Sequence, residues 1–443
     1  MQIVLLSGGS GKRLWPLSND VRSKQFLRLF PQMDGSYISM AQRVYRQIRR
    51  AVPEAQVTVA TAKSQVSVLK NQLGDGVDIC VEPCRRDTFP AMVLVSSYLH
   101  DVKGVGLDEA VAVCPVDPYV EGRYFASVKR LAELAAQGTA NLMLMGIEPT
   151  YPSSKYGYIL PQDTAEVSRV ASFKEKPDAK KAAEYIQAGA LWNSGVFAYR
   201  LGYVLERAHG LFDFRGYEDL RENYRDLWKI SFDYAVAEKE RSIGVLRYRG
   251  EWKDLGTWNT LTEIMERESI GDVILAEDCH NVHAINELGI PLFCTGVRDA
   301  VVVASPNGIM VSDKVASSYI KPYVENLSTQ VMLAEKSWGE YRVIDVEEES
   351  LTIKVTLNPG HGMSYHSHAH RDEIWNIVEG EGEARLDGEL RQVRAGDVIS
   401  LPCGMKHTIK ASTRLQIIEI QMGQDISVED KIKHGSEEVS GIS

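Results

Sequence analysis

Short apolar runs rich in β-branched residues, at 3–6, 57–60, 111–116 and 142–145, alternate with segments of helical period at 39–50 and 124–137. That alternation predicts an α/β layered domain on a mostly parallel sheet over residues 1–266. Between 267 and 333 the pattern changes to short β-type runs, 273–275 and 300–304, punctuated by Gly and Pro without a long helix, which predicts a small β-rich connector. From 334 to 443, runs such as 351–357, 374–379 and 415–420 follow one another at turn-separated spacing, predicting an antiparallel barrel or jelly roll. The polar stretch 425–443 is expected to be loosely held.

Length and charge narrow the functional classes. At 443 residues the chain exceeds the size of one hydrophobic core, so several domains are expected. The net charge of -10, with no block of like charge, argues against nucleic acid and against a polybasic membrane contact. A small phosphate ligand would therefore have its charge met locally, by backbone N–H groups, a few Lys or Arg and a divalent cation. The six cysteines are scattered without a C-x-x-C pair and read as free thiols. With no charged leader and no apolar stretch long enough to span a bilayer, a cytoplasmic location is expected.

The first strand runs into Ser7-Gly8-Gly9-Ser10-Gly11-Lys12-Arg13-Leu14. Glycines permit close backbone approach, so Gly8, Gly9 and Gly11 can wrap a phosphate while Lys12 and Arg13 supply charge. The alternative is a plain strand-to-helix turn. The run is neither a Walker A loop nor G-x-G-x-x-G, since Arg13 follows Lys12 and Leu14 stands where the last glycine would be.

This loop, with Lys24-Gln25-Phe26-Leu27, resembles the signature of the sugar-nucleotide pyrophosphorylases, and within them the mannose-1-phosphate guanylyltransferases. Further matches follow in family order: Glu82-Pro83-x-x-Arg86-x-Thr88, Pro115-Val116-Asp117, Lys155-Tyr156-Gly157-Tyr158-Ile159, Phe173-x-Glu175-Lys176-Pro177-Asp178, Trp192-Asn193-Ser194-Gly195, Phe232-Asp233-Tyr234-Ala235 and Trp252-x-Asp254-x-Gly256-x-Trp258. The resemblance implies a Rossmann-like, GT-A-like nucleotidyltransferase fold and attack of mannose 1-phosphate on the α-phosphorus of GTP. It also implies Mg²⁺ held by Asp117 and Asp254, and Arg13 and Lys24 on the triphosphate. Lys176 would take the sugar phosphate, with Gly157, Glu175 and Asn193 at the sugar and Glu82 at the guanine. The sequence departs from the family pattern at Ser23, Asp87 and Pro118, where proline, asparagine and histidine are common.

Gly360-x5-His366-x-His368-x4-Glu373-x6-Gly380 and Gly396-x5-Pro402-x-Gly404-x2-His407 resemble both halves of the cupin signature, with Ala411 in place of the final asparagine. His366 and His368 are two apart, so on a strand their rings share a face. With Glu373 and His407 they suit a transition metal such as Zn²⁺, Mn²⁺, Fe²⁺, Co²⁺ or Ni²⁺. Lys336-Ser337-Trp338-Gly339-Glu340-Tyr341 and His370-Arg371-Asp372-Glu373-Ile374-Trp375 resemble the phosphomannose isomerase domain of longer relatives, although His366, Asp372 and Ile374 replace its usual glutamine, alanine and histidine. The alternatives left open are a non-catalytic sugar-binding or oligomerising cupin, a transferase for another sugar 1-phosphate, and a nucleotide-sugar sensor; a homodimer is compatible with each. Joint retention of Arg13, Lys24, Asp117, Lys176 and Asp254 speaks against the sensor.

Overall fold

The strand Gln2–Leu6 lies between Gln56–Ala62 and Ala110–Pro115, parallel to both, and its burial explains the apolar run from Ile3 to Leu6. In this computed structural model, residues 1–434 are described except 10, 11, 20, 326, 328, 329, 425, 428 and 429. The chain divides into two compact units. The first comprises Met1–Gly11, Ser23–Val66 and Gln72–Glu266; the second comprises Lys12–Arg22, Ser67–Asn71 and Arg267–Ser443.

In the first unit, a nine-stranded sheet runs in the order Asp78–Glu82, Gln56–Ala62, Gln2–Leu6, Ala110–Pro115, Leu191–Arg200, Leu142–Ile147, Ile243–Tyr248, Val167–Lys174 and Tyr158–Pro161. The first four strands are parallel, as are Leu142–Ile147 and Ile243–Tyr248, but the remaining pairings are antiparallel. The sheet is thus more mixed than the alternation suggested. Tyr158–Pro161 and Val167–Lys174 are joined by too few residues for a crossover, which leaves only a hairpin. Helix Met40–Ala51 begins at a capping box of Ser39 and Gln42 and buries Met40, Ala41, Val44 and Ile48 along one stripe. Helix Tyr124–Ala136 likewise buries Phe125, Val128, Leu131 and Ala132.

In the second unit, Ser269–Ile270, His283–Asn286 and Ala300–Ser305 form parallel rungs closed by the antiparallel Gly308–Asp313. Two antiparallel sheets follow. One has six strands, among them Ser350–Leu357, Asp372–Glu379 and Leu415–Met422; the other has five, among them Glu381–Leu386, His407–Ala411 and His366–His368. Inward positions such as Val355, Leu357, Trp375, Ile377, Ile409 and Ile417 form one apolar core. Part of the C-terminal stretch departs from its expected looseness: Lys431–Lys433 is a strand paired with His366–His368. Residues 435–443 lie outside the described residues. All six cysteines are free, and no helix among the described residues is long and apolar enough to cross a membrane.

Candidate active sites

The carboxyl ends of the parallel strands form the first site, the edge where open α/β sheets carry ligands. Leu6 lies opposite Ala60 and Pro115, and Ala62 lies opposite Glu82, so Ser7-Gly8-Gly9, Glu82 and Asp117 follow strands that end at one edge. Gln25 donates from Nε2 to the Ser7 carbonyl at 3.0 Å, and Gln65 donates to the Gly9 carbonyl at 3.3 Å and to Ser23 Oγ at 2.7 Å, tying the turn to its neighbours. Gly11 and the Lys12 side chain lie outside the described residues. Arg13 is exposed on the short turn Lys12–Leu14 of the second unit.

Strand Trp252–Asp254 pairs antiparallel with Pro118–Val120, with Asp254 opposite Pro118, which draws it beside Asp117. Lys24 Nζ lies 2.6 Å from Asp117 Oδ2 and 3.6 Å from Asp254 Oδ1. One cation thus bridges two carboxylates that are each about one-third exposed. A pair of hard carboxylate oxygens with access to water is a donor set that suits Mg²⁺.

Glu82 is buried and accepts at Oε1 from Tyr224 O–H at 2.7 Å and from the Arg86 N–H at 3.3 Å. Its Oε2 faces Gly8, where an added Cβ would stand 3.7 Å away. Burial pushes the Glu82 carboxyl up, against the Tyr224 hydrogen bond. One oxygen is therefore held by the protein, and the other is turned toward the glycine turn.

A second cluster joins Gly157, Glu175, Lys176 and Asn193. A Cβ on Gly157 would sit 2.5 Å from Glu175 Oε2 and 3.3 Å from Asn193 Cβ, so only glycine fits there. Lys176, at φ 44°, pairs with Glu175. Asn193 donates from Nδ2 to Asp233 Oδ1 at 2.8 Å and accepts at Oδ1 from the Gly195 N–H at 3.1 Å. Burial, reinforced by Glu175, pushes the Asp233 carboxyl up to about 6. Sequence reasoning gives Asp233 no role beyond membership of a matched motif; the signal that could have found it is an acid set among apolar residues. Tyr156 meets Trp192 and Trp252 edge-on, with ring centroids 5.0 and 5.5 Å apart, and walls the cluster.

The cupin site lies in the second unit. His366 stands opposite His407 across paired strands, and the ligating atoms of His366, His368 and His407 all lie within 4.8 Å of one another. Each Nδ1 faces a backbone carbonyl: Ser364 at 2.6 Å, Asp430 at 3.2 Å and Met405 at 2.9 Å, respectively. Those partners make Nδ1 the donor and leave the three Nε2 lone pairs turned inward, the tautomer a metal requires. His407 Nε2 is buried without a hydrogen-bond partner. Burial pushes the His366 imidazole down to about 3 and lowers that of His407, so both stay neutral at physiological pH.

Glu373 reaches His368 Nε2 at 3.1 Å and His407 Nε2 at 3.5 Å. Burial opposes its ionisation, but His368, His407 and Arg371 together hold its carboxyl low. Arg371 donates from Nε to Glu373 Oε1 at 3.0 Å, and its Nη2 lies 3.1 Å from His368 Nε2. The sequence motif contained Arg371, but its inward reach comes from the fold. Three imidazoles and one carboxylate fit a divalent transition metal.

A nucleotidyl transferase family model matches residues 2–269, and a mannose-6-phosphate isomerase C-terminal model matches residues 325–435. Mannose-1-phosphate guanylyltransferase of Salmonella montevideo is 28% identical, over 97% of this chain and 98% of its own. Alginate biosynthesis protein AlgA of Pseudomonas putida is 29% identical, over 96% and 94% respectively. Among solved structures, mannose-1-phosphate geranyltransferase from Thermus thermophilus superposes with a TM-score of 0.60 at 28% identity, covering 74% of this chain and 98% of that one.

Proposed function

Since the chain belongs to the nucleotidyl transferase family, we propose that it is a mannose-1-phosphate guanylyltransferase. A phosphate oxygen of mannose 1-phosphate attacks the α-phosphorus of GTP, the bond to the β-phosphate oxygen breaks, and GDP-mannose and pyrophosphate result. The nucleophile is already anionic, so no general base is needed. Catalysis then rests on in-line positioning and on neutralising the phosphates. The observation that carries this reading is the convergence of Lys24, Asp117 and Asp254. Asp117 and Asp254 would hold Mg²⁺, which when bound neutralises charge on the reacting phosphates.

Gly8 and Gly9 cradle the triphosphate, with Lys24 as its cation; the parts of Gly11, Lys12 and Arg13 rest on the sequence resemblance. Gly157, Glu175 and Asn193 receive the sugar, Lys176 its phosphate, and Glu82 the guanine edge. Near-full-length likeness to proteins named for guanylyl transfer to mannose 1-phosphate supports this choice of substrates. Incubation with Mg²⁺, each NTP and a panel of sugar 1-phosphates, with released pyrophosphate measured, tests it: turnover should be greatest for GTP with mannose 1-phosphate. Glu82→Gln should weaken GTP use and relax base choice, because the amide places a donor against the base donors. Unchanged GTP preference removes Glu82 from the base site.

For the cupin we propose mannose-6-phosphate isomerase activity, supported by the matched isomerase module and the inward-turned histidines. His366, His368, Glu373 and His407 would hold a divalent transition metal, which when bound polarises a sugar carbonyl. The working division is a transferase domain over 1–266, a connector over 267–333 and the cupin over 334–443. Conversion of fructose 6-phosphate that survives both chelation and His368 substitution would defeat the metal-isomerase reading.

A further inference from the structure

The short strand near the C-terminus carries two lysines toward the cupin histidines. Lys431 lies directly opposite His368, and Lys433 directly opposite His366, in an antiparallel pair. Residues facing one another across such a pair project to the same side of the sheet. The alternate positions bear out the sidedness: Ser367 Oγ lies 2.9 Å from His434 Nε2, and Ile432 is exposed, so these residues occupy the opposite face. Lys431 and Lys433 therefore point the same way as the metal-binding histidines, Lys431 deeper and Lys433 exposed.

Neither lysine is held in an ion pair among the described residues. Among the described residues, no carboxylate lies within ion-pair distance of either lysine, whereas Glu373 is engaged by His368, His407 and Arg371. Asp430 is buried but accepts from the Ala369 and His370 N–H groups, and Glu419 is buried beside Gln421, whose Nε2 donates to Glu419 Oε1 at 2.5 Å. Burial pulls Lys431 down to about 8 against the attraction of Glu419 and Glu373, and Lys433 and Lys336 lower it further, as neighbouring like charges do. Lys336, at the end of strand Leu333–Lys336, is lowered in turn by burial and by Lys433. Lysines turned to the same side as the metal-site histidines, none of them held in an ion pair among the described residues, offer a place for an anionic ligand group.

We propose that Lys431 and Lys433 form an anion subsite of the cupin, which takes the phosphate of a sugar phosphate while the sugar carbons face the histidines and Glu373. The subsite rests on the isomerase reading for the identity of its ligand, but the binding it asserts is measurable without turnover.

Calorimetric titration of the full-length protein with mannose 6-phosphate, mannose and inorganic phosphate tests it, alongside Lys431→Met, Lys433→Met and Lys433→Arg. Mannose 6-phosphate should bind much more tightly than mannose, and inorganic phosphate should compete with it. Each Met variant should weaken its binding on the order of tenfold or more, as loss of a charge-assisted hydrogen bond does. Lys433→Arg should retain most of the affinity. Bound metal and pyrophosphate release from GTP with mannose 1-phosphate should be unchanged, which separates a lost phosphate contact from metal loss or misfolding. Lys433 is exposed, so its variant should fold even if that of Lys431 does not. Unaltered mannose 6-phosphate affinity in folded Lys433→Met overturns the proposal, as does wild-type protein that prefers mannose. Lysine-dependent binding without isomerisation keeps the subsite and rejects the isomerase reading. Isomerisation with an unchanged KM in both Met variants does the reverse.

Discussion

Replacing Glu287 with alanine would strand a buried guanidinium. Arg22 meets Glu287 through two parallel hydrogen bonds, Nη1 to Oε2 and Nη2 to Oε1, each 2.8 Å, with side-chain exposures of 8% and 22%. Burial works against the Arg22 charge, yet Glu287, with Glu335 and Glu340, more than offsets it and raises the Arg22 pKa. The same unit holds the segment before Arg22: Ser305 Oγ and Asn307 Nδ2 donate to the Pro16 carbonyl at 2.9 and 3.1 Å, and Trp15 packs against Gly308. Removing one partner of a fully buried ion pair costs about 3–5 kcal/mol. Glu287 keeps some contact with water, and Glu335 and Glu340 still favour the Arg22 charge, so we expect about 2–3 kcal/mol. For a body of 150–250 residues that corresponds to roughly 4–12 °C in Tm. Arg22→Met should cost less, because Glu287 can turn to water, and Arg22→Met/Glu287→Leu should recover most of the loss. Scanning calorimetry of wild type, these variants and Glu287→Leu reads the shift and, from the cycle of Arg22→Met with Glu287→Leu, the coupling. A Glu287→Ala transition within about 1 °C of wild type, or a double variant as unstable as the single losses combined, would refute the reasoning.

Asp117→Ala and Asp254→Ala should each lose on the order of 10²–10³ in transfer rate, as removal of a charge stabiliser at the reacting phosphates does; near-normal pyrophosphate release from either folded variant rejects their paired role. Asp233 has a folded pKa of about 6 against a reference of 3.8, so its stabilising protonation is complete below the reference and is lost as pH rises through 6. Asp233→Asn should therefore raise Tm at pH 8 and leave it nearly unchanged at pH 4, and equal shifts at both would show that burial does not govern this carboxyl. His368→Ala should lower the metal content measured by atomic emission and remove isomerisation while sparing guanylyl transfer, since one inward ligand is lost from a site of four. Full metal occupancy in that variant would exclude His368 from the site.

Local pattern made much of the architecture legible. The run at 3–6 and the helical stripe at 40–51 are determined by neighbours in sequence, because strand and helix periods repeat within a few residues. The two-residue spacing of His366 and His368 likewise placed both rings on one face before any strand partner was known. What pattern could not decide was which distant segments meet. Asp254 reaches Asp117 only because Trp252–Asp254 pairs with Pro118–Val120. Asn193 finds Asp233, and Arg22 finds Glu287, through the fold rather than through sequence proximity. Lys431–Lys433 is the clearest case: a Lys-Ile-Lys stretch in a polar tail has no period that marks a strand, and its structure comes from the unpaired edge that His366–His368 offers. Periodicity records which face a residue presents, whereas pairing depends on backbone groups that every residue shares, so the partner had to come from the tertiary structure.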